Sequence, residues 1–238
     1  MNKLRIASSS IDNFLRIGGV DYERPSEIYT AEKYIADVQK GWQPKRAMLF
    51  GSAFGAVIAE PEKYWRLENE SEIWEIAVKK LHDFEVFNFD KEQALFAINL
   101  MADYVQTNGM FFEVKTELQF GDVTVVCKCD GLAPNFIIEN KTTSNLTLNT
   151  HLFDCSPYQT SAQWKFYLLA FPEAEFVRYH VFEFAKETQN GYRSFHEHNE
   201  FECFRYDGLE YECRAIIESM SAFIYQHNLE PYFQPYKK

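Results

Sequence analysis

Residues 129–143 read CDGLAPNFIIENKTT, and the fold turns on how this stretch is laid out. The apolar run Phe136-Ile137-Ile138 leads straight into Glu139 and Lys141, and Asp130 stands nine residues before Glu139. In a strand, side chains two apart point the same way, so Glu139 and Lys141 share a face with Ile137 beneath them. The turn over 131–135 folds the end of the preceding strand back, which sets Asp130 beside that pair. Working outward, 114–120 and 123–130 are β-rich runs joined by Gly121-Asp122, a good hairpin turn.

Upstream the texture is helical. Helices are expected near 10–16, opened by the serine run, and over 26–39. The small and apolar residues of 47–59 suit a closely packed, buried helix that stops before Pro61. Two amphipathic helices follow, over 70–83 and 90–106. Downstream come a helix over 158–171, ending before Pro172, a strand pair over 176–184 and 192–196, and a closing helix over 210–227. This pattern predicts an α/β (α+β) chain of one domain over 1–238. Its parts are a mainly helical portion at 1–110, a core at 111–200 and a C-terminal helix at 201–238.

Composition bounds the function. Apolar residues make up 46% of the 238, with 22 Phe and 14 Tyr, enough for a well-filled aromatic core. The apolar runs fall far short of the roughly 18 residues of a membrane span. MNKLRIASSSIDNF has no apolar centre and does not read as a secretory signal. Five scattered cysteines, an odd number, favour reduced thiols and a cytoplasmic setting. The net charge of −11 means that nucleic acid would have to meet a local basic channel, or metal ions that offset the carboxylates.

Two carboxylates converging at a strand end form an oxygen-rich site suited to Mg²⁺ or Mn²⁺. A lysine beside them can hold or polarise a water. Phosphodiester hydrolysis needs these parts: a nucleophile made at neutral pH and compensation for charge on the phosphate. The same residues also fit a plain turn aspartate and a solvated strand edge. Gln163 and Tyr167, four apart on the helix expected over 158–171, share a face and are neutral donors for a phosphate or base edge. They equally suit an exposed Gln and a half-buried Tyr.

Aspartate, an apolar strand closing on E-x-K, then a helix carrying Q-x-x-x-Y resembles the RecB-like branch of the PD-(D/E)XK nucleases. Within that branch, RAMLFGSAFGAVIAEPEKYW, TELQFGDVTVVCKCDGL and IIENKTTSN resemble the exonuclease VIII (RecE-type) family of phages and prophages. The resemblance is specific over 49–64 and 117–167. It implies a restriction-endonuclease-like core, a central mixed β-sheet flanked by helices. It further implies that Asp130, Glu139 and the backbone carbonyl of Asn140 ligate Mg²⁺ (or Mn²⁺), with Glu117 as an upstream acidic ligand and Lys141 positioning the attacking water. Gln163 and Tyr167 would contact DNA. The family's histidine on the early helix falls at Gly55, a departure; Glu60 belongs to the E-P-E turn.

The function implied is a metal-dependent exodeoxyribonuclease acting on ends of linear duplex DNA in phage-type recombination. A single-strand annealing protein and a homo-oligomeric ring would be its partners. The alternative is a catalytically weak nuclease-fold protein that binds DNA ends or a recombination partner. Lys128, two before Asp130, and Lys165, on the Gln163 helix, would line a positive groove. Cys127 and Cys129 read as buried free thiols rather than a zinc or iron–sulfur site, since His151 and Cys155 are the only nearby ligands in sequence. His196 and His198 in SFHEHNEFE read as a solvated strand edge. Lys40, Lys45 and Arg46 around Trp42 suit either a DNA contact or an exposed loop.

Overall fold

Three strands hydrogen-bond to β4 (Val123–Leu132) in the computed structural model, and the sheet is organised around it. The structure describes residues 4–19, 26–41, 46–58, 88–89, 91–143, 155–185, 188 and 192–234. β3 (Phe111–Phe120) runs antiparallel along the whole of one edge of β4, after the turn at Gly121-Asp122. The other edge is divided. β1 (Leu4–Ala7) lies parallel to residues 123–126, and β5 (Phe136–Thr143) lies antiparallel to Gly131 and Leu132 alone. β6 (Phe176–Phe184) continues parallel to β5, and β8 (Phe195–Phe204) closes the sheet antiparallel to β6. Two short strands, β2 (Asn88–Phe89) and β7 (Tyr192–Arg193), pair separately. The six-stranded mixed sheet flanked by helices is the fold class expected from the sequence.

Helices cover both faces, which is why β5 opens on four consecutive buried residues instead of alternating. Ile137 packs with α1 (Ser8–Leu15), α2 (Ala31–Lys40), α6 (Gln163–Ala170) and α7 (Leu209–Gln226), through Ile11, Tyr34, Phe166 and Ile217. Ile138 faces the opposite layer of α3 (Arg46–Ile58) and α4 (Lys91–Asn108), through Phe54 and Met101. Phe54 lies 5.0 Å from the ring of Phe182 and 5.3 Å from Phe184, so the apolar stretch of α3 does form a packed helix. Cys127 and Cys129 are buried free thiols, each pushed up to about 12 by burial.

Four expectations change. β1 is a strand that the sequence pattern did not mark. The helix expected over 158–171 is two, α5 (Ser156–Gln159) and α6, because Ser161 and Ala162 turn to bond Asp12. The strand expected over 192–196 divides: Tyr192 and Arg193 belong to the small pair, and the partner of β6 runs on to Phe204. His198 is not at a solvated edge, because its face of β8 packs beneath α4, where Phe96 meets its ring at 5.4 Å. His196 is exposed. The helix expected over 70–83, and Trp42, Lys45, Glu60 and His151, lie outside the described residues.

Two glycines of α3 differ in their surroundings. A Cβ at Gly55 would meet no described atom within 4 Å, whereas at Gly51 it would come 2.9 Å from Thr142 Oγ1. Gly55→Ala should therefore raise stability by about 0.8–1 kcal/mol, and Gly51→Ala should forfeit that gain. Urea unfolding midpoints of the two variants against the parent protein check the contrast.

Candidate metal and phosphate site

Between the residues paired with β1 and those paired with β5, residues 127–130 of β4 have no strand on that edge among the described residues. Buried backbone groups must find partners elsewhere. Here side chains provide them. The Tyr167 hydroxyl on α6 donates to the Lys128 carbonyl at 2.6 Å, and the Asn140 backbone N–H of β5 donates to Asp130 Oδ2 at 2.8 Å. Asp130 thus bridges β4 and β5 where the ladder between them is open.

The backbone opposite Asp130 is also unusual. Glu113 on β3 has φ of 55°, a region that residues with a Cβ seldom enter. Phe112 packs toward the α3–α4 layer, and Gly131, its partner, sits against Met110 and Ile138 there. Val114 and Cys129, only two residues away on the two strands, pack into the opposite layer. Side chains two apart in a regular strand share a face. The strands therefore change face at Glu113 and Asp130.

Glu139 and Lys141 share the α6 side of β5. Lys141 Nζ donates to Glu139 Oε1 at 2.5 Å and to Gln163 Oε1 at 3.1 Å. Gln163 Nε2 donates to the Tyr167 hydroxyl at 2.5 Å. The chain has one consistent direction: Tyr167 gives its proton to Lys128, so it accepts from Gln163, whose carbonyl then faces the ammonium. Two donors stay uncommitted by these bonds, the second N–H of Gln163 and the third of Lys141. Glu139 is 3% exposed, and its Oε2 has no hydrogen-bond partner among the described residues. Asn140 turns its side chain to the other layer, where Nδ2 lies 3.8 Å from Met101 Sδ, and leaves its backbone at the site.

Burial pushes Glu139 up to about 7, Asp130 adds repulsion, and Lys141 opposes both. Asp130 is raised by burial, against the pull of Lys141 and the Asn140 N–H. Burial lowers Lys141, but Glu139 and Asp130 outweigh it, and the amine is held above its ordinary value. The site is therefore short of positive charge and keeps its lysine an ammonium.

Of the residues singled out from sequence, the structure gathers Asp130, Glu139, Asn140, Lys141, Gln163 and Tyr167. It does not bring Glu117 to them. Glu117 pairs with Arg5 beside Val126, four residues or about 13 Å along β4 from Asp130. Lys128 turns outward to Glu113, and its carbonyl alone meets the site. Lys165 is bound to Glu212 of α7 at 2.5 Å. At Gly55 on α3, no described atom comes within 4 Å of where a Cβ would stand.

Sequence reasoning passed over Asp12. On α1, its Oδ1 accepts the Ala162 N–H and its Oδ2 the Ser161 hydroxyl, both at 2.6 Å, directly ahead of Gln163. Burial raises its pKa, while these bonds and the charge of Lys141 act the other way. No local signal marked it: with one helix expected over 158–171, only the structure shows α6 opening at Ala162, which has no capping side chain of its own. Asp12→Ala should cost about 1–3 kcal/mol by leaving the Ala162 N–H unpaired, measured as a fall in the urea midpoint.

No protein-family model and no curated protein matches the chain. Among solved structures it is similar to a candidate exonuclease from Eubacterium rectale, at 15% identity and a TM-score of 0.45, over 95% of this chain and 82% of that one. It is also similar to the alkaline exonuclease of Laribacter hongkongensis, at 15% identity and a TM-score of 0.34, over 76% and 92% of the two chains. The protein SSO0001 matches at 17% identity and a TM-score of 0.37, over 73% and 74%.

Proposed function

We propose that this protein is a metal-dependent exodeoxyribonuclease that hydrolyses phosphodiester bonds from the ends of linear duplex DNA. The observation that carries the reading is the state of Glu139: a buried carboxylate with one oxygen on Lys141, the other without a hydrogen-bond partner among the described residues, and Asp130 repelling it. Buried charge of this kind is sustained by a compensating cation. Asp130, Glu139 and the Asn140 carbonyl form the oxygen-rich donor set that suits Mg²⁺ or Mn²⁺. A divalent ion held there would neutralise phosphate charge and make water nucleophilic at neutral pH.

The chain's own residues supply the rest. Lys141, kept as an ammonium by the two carboxylates, acts as a donor that orients water or a phosphate oxygen, not as a general base. The uncommitted N–H of Gln163 serves a second phosphate oxygen, and Tyr167 fixes which way that amide points. Glu117, held by Arg5, stands outside this set. The choice of duplex ends, the single-strand annealing partner and a ring enclosing DNA rest on the resemblance over 49–64 and 117–167. Gly55, where that family carries histidine, favours a second reading, a weakly catalytic protein that binds DNA ends.

End-labelled linear duplex should release acid-soluble nucleotides with Mg²⁺ or Mn²⁺ while circular duplex does not, and Lys141→Ala should lower the rate at least about a hundredfold. Label release without added metal, or full activity in Lys141→Ala, would sink the mechanism. End binding without hydrolysis would select the second reading. In thermal melts, Mg²⁺ at about 100 times its Kd should stabilise the parent protein by about 2.7 kcal/mol and leave Asp130→Asn unmoved.

A further inference from the structure

Across the sheet from Glu139, β6 and β8 bring together a second group of ligand-bearing side chains that the nuclease reading does not use. His180 of β6 lies opposite Glu200 of β8, and His198 sits two residue pairs along, opposite Phe182, on the same face. His180 Nδ1 is 3.0 Å from His198 Nε2 and 3.6 Å from Glu200 Oε2. The three ligand atoms lie within 4.8 Å of one another, the one such group among the described residues.

These separations have a chemical meaning. Tetrahedral zinc holds nitrogen at about 2.0–2.1 Å and carboxylate oxygen at about 2.0–2.2 Å, which sets neighbouring ligand atoms about 3.3–3.4 Å apart. The two observed distances bracket that value. We propose that His180, His198 and Glu200 form a site for Zn²⁺ or a similar nitrogen-preferring divalent metal, with water in the fourth position.

The surroundings suit it. The imidazoles stack at 5.2 Å and 12°, with Tyr104 edge-on to His180 and Phe96 edge-on to His198, both from α4. The 3.0 Å contact between His180 Nδ1 and His198 Nε2 requires one of these nitrogens to accept with a free lone pair, as a metal ligand does. Arg178 Nε lies 3.3 Å from Glu200 Oε1, which leaves Oε2 turned to the histidines. Glu200 is exposed, and this gives the ion a way in.

One feature limits affinity. His180 Nε2 is buried with no hydrogen-bond partner among the described residues. In the metal-free protein its proton is better placed on Nδ1, shared with His198; metal capture must move it to Nε2. Affinity should then sit about ten- to a hundredfold below that of a site whose second nitrogen is bonded. The nitrogen-rich donors disfavour Mg²⁺ and Ca²⁺.

The test uses Co²⁺ as a spectroscopic probe on the Asp130→Asn protein, which disables the oxygen-rich site and keeps the two readings separate. One equivalent of Co²⁺ should produce an intense tetrahedral d–d band that Zn²⁺ bleaches. His198→Ala and Glu200→Gln should each weaken Co²⁺ binding at least tenfold, and Lys141→Ala should leave it intact. Absence of the band in the starting protein, or its persistence in both variants, overturns the proposal. Circular dichroism checks that His198→Ala folds; if it does not, exposed Glu200→Gln decides alone.

Discussion

The architecture depends on β4 lending one edge to two different strands. β1 takes its first four residues and β5 its last two, and the interval is closed by side chains instead of a ladder. Backbone groups in a sheet interior cannot be left unpaired without a cost of the order of 1–3 kcal/mol each. Tyr167 and Asp130 meet that demand, one on the Lys128 carbonyl and the other on the Asn140 N–H. The opening is thus both a defect in the sheet and the place where α6 delivers Gln163 and Tyr167 to the end of β5. The irregularity at Glu113 belongs to the same event, since β3 must follow β4 as it changes face.

Electrostatics at the opening runs against stability. Two carboxylates share one ammonium in a site where burial raises both of their pKa values. An apolar filling would serve the fold better, because buried ion pairs seldom repay their desolvation. Perturbed groups of this kind, held by a rigid chain of donors and acceptors, gather where chemistry is done. The chain's net charge of −11 makes this local arrangement matter more, since the surface as a whole repels a phosphate backbone. On the proposed function, the positive charge that meets a phosphate has to be supplied locally, by Lys141 and a bound metal.

The central parts of this plan were legible in the sequence. Phe136–Lys141 reads as an apolar strand with ionisable residues on one side, and the hairpin at Gly121-Asp122 fixes the order of β3 and β4. Strand parity also predicted that Glu139 and Lys141 share a face. What escaped depends on register and on distant segments. Glu117 has an acid's chemistry on an adjacent strand, yet the pairing of Glu117 with Val126 sets it four residues from Asp130. Four residues, Leu4–Ala7, are too few for a periodic signal, although they define where the opening begins. Asp12 acts across about 150 residues of chain, a contact no local pattern encodes. The His180–His198 pair is likewise a product of the β6–β8 register.

That register also explains how one sheet can carry two polar clusters without mixing them. β5 and β6 run in parallel with Asn140 beside His180 and Glu139 beside Tyr179, so alternation sends Glu139 toward α6 and His180 toward α4. The clusters are next to each other along the backbone and separated by the thickness of the sheet. Their donors differ as well, carboxylate and carbonyl oxygen on one side, imidazole on the other. First-row metals bind more tightly than Mg²⁺ to most sites, so an oxygen-rich site that needs Mg²⁺ is open to displacement by zinc. The nitrogen-bearing site proposed on the opposite face would offer zinc a better home. Ligand chemistry alone would then sort the two ions, with the sheet as the partition between them.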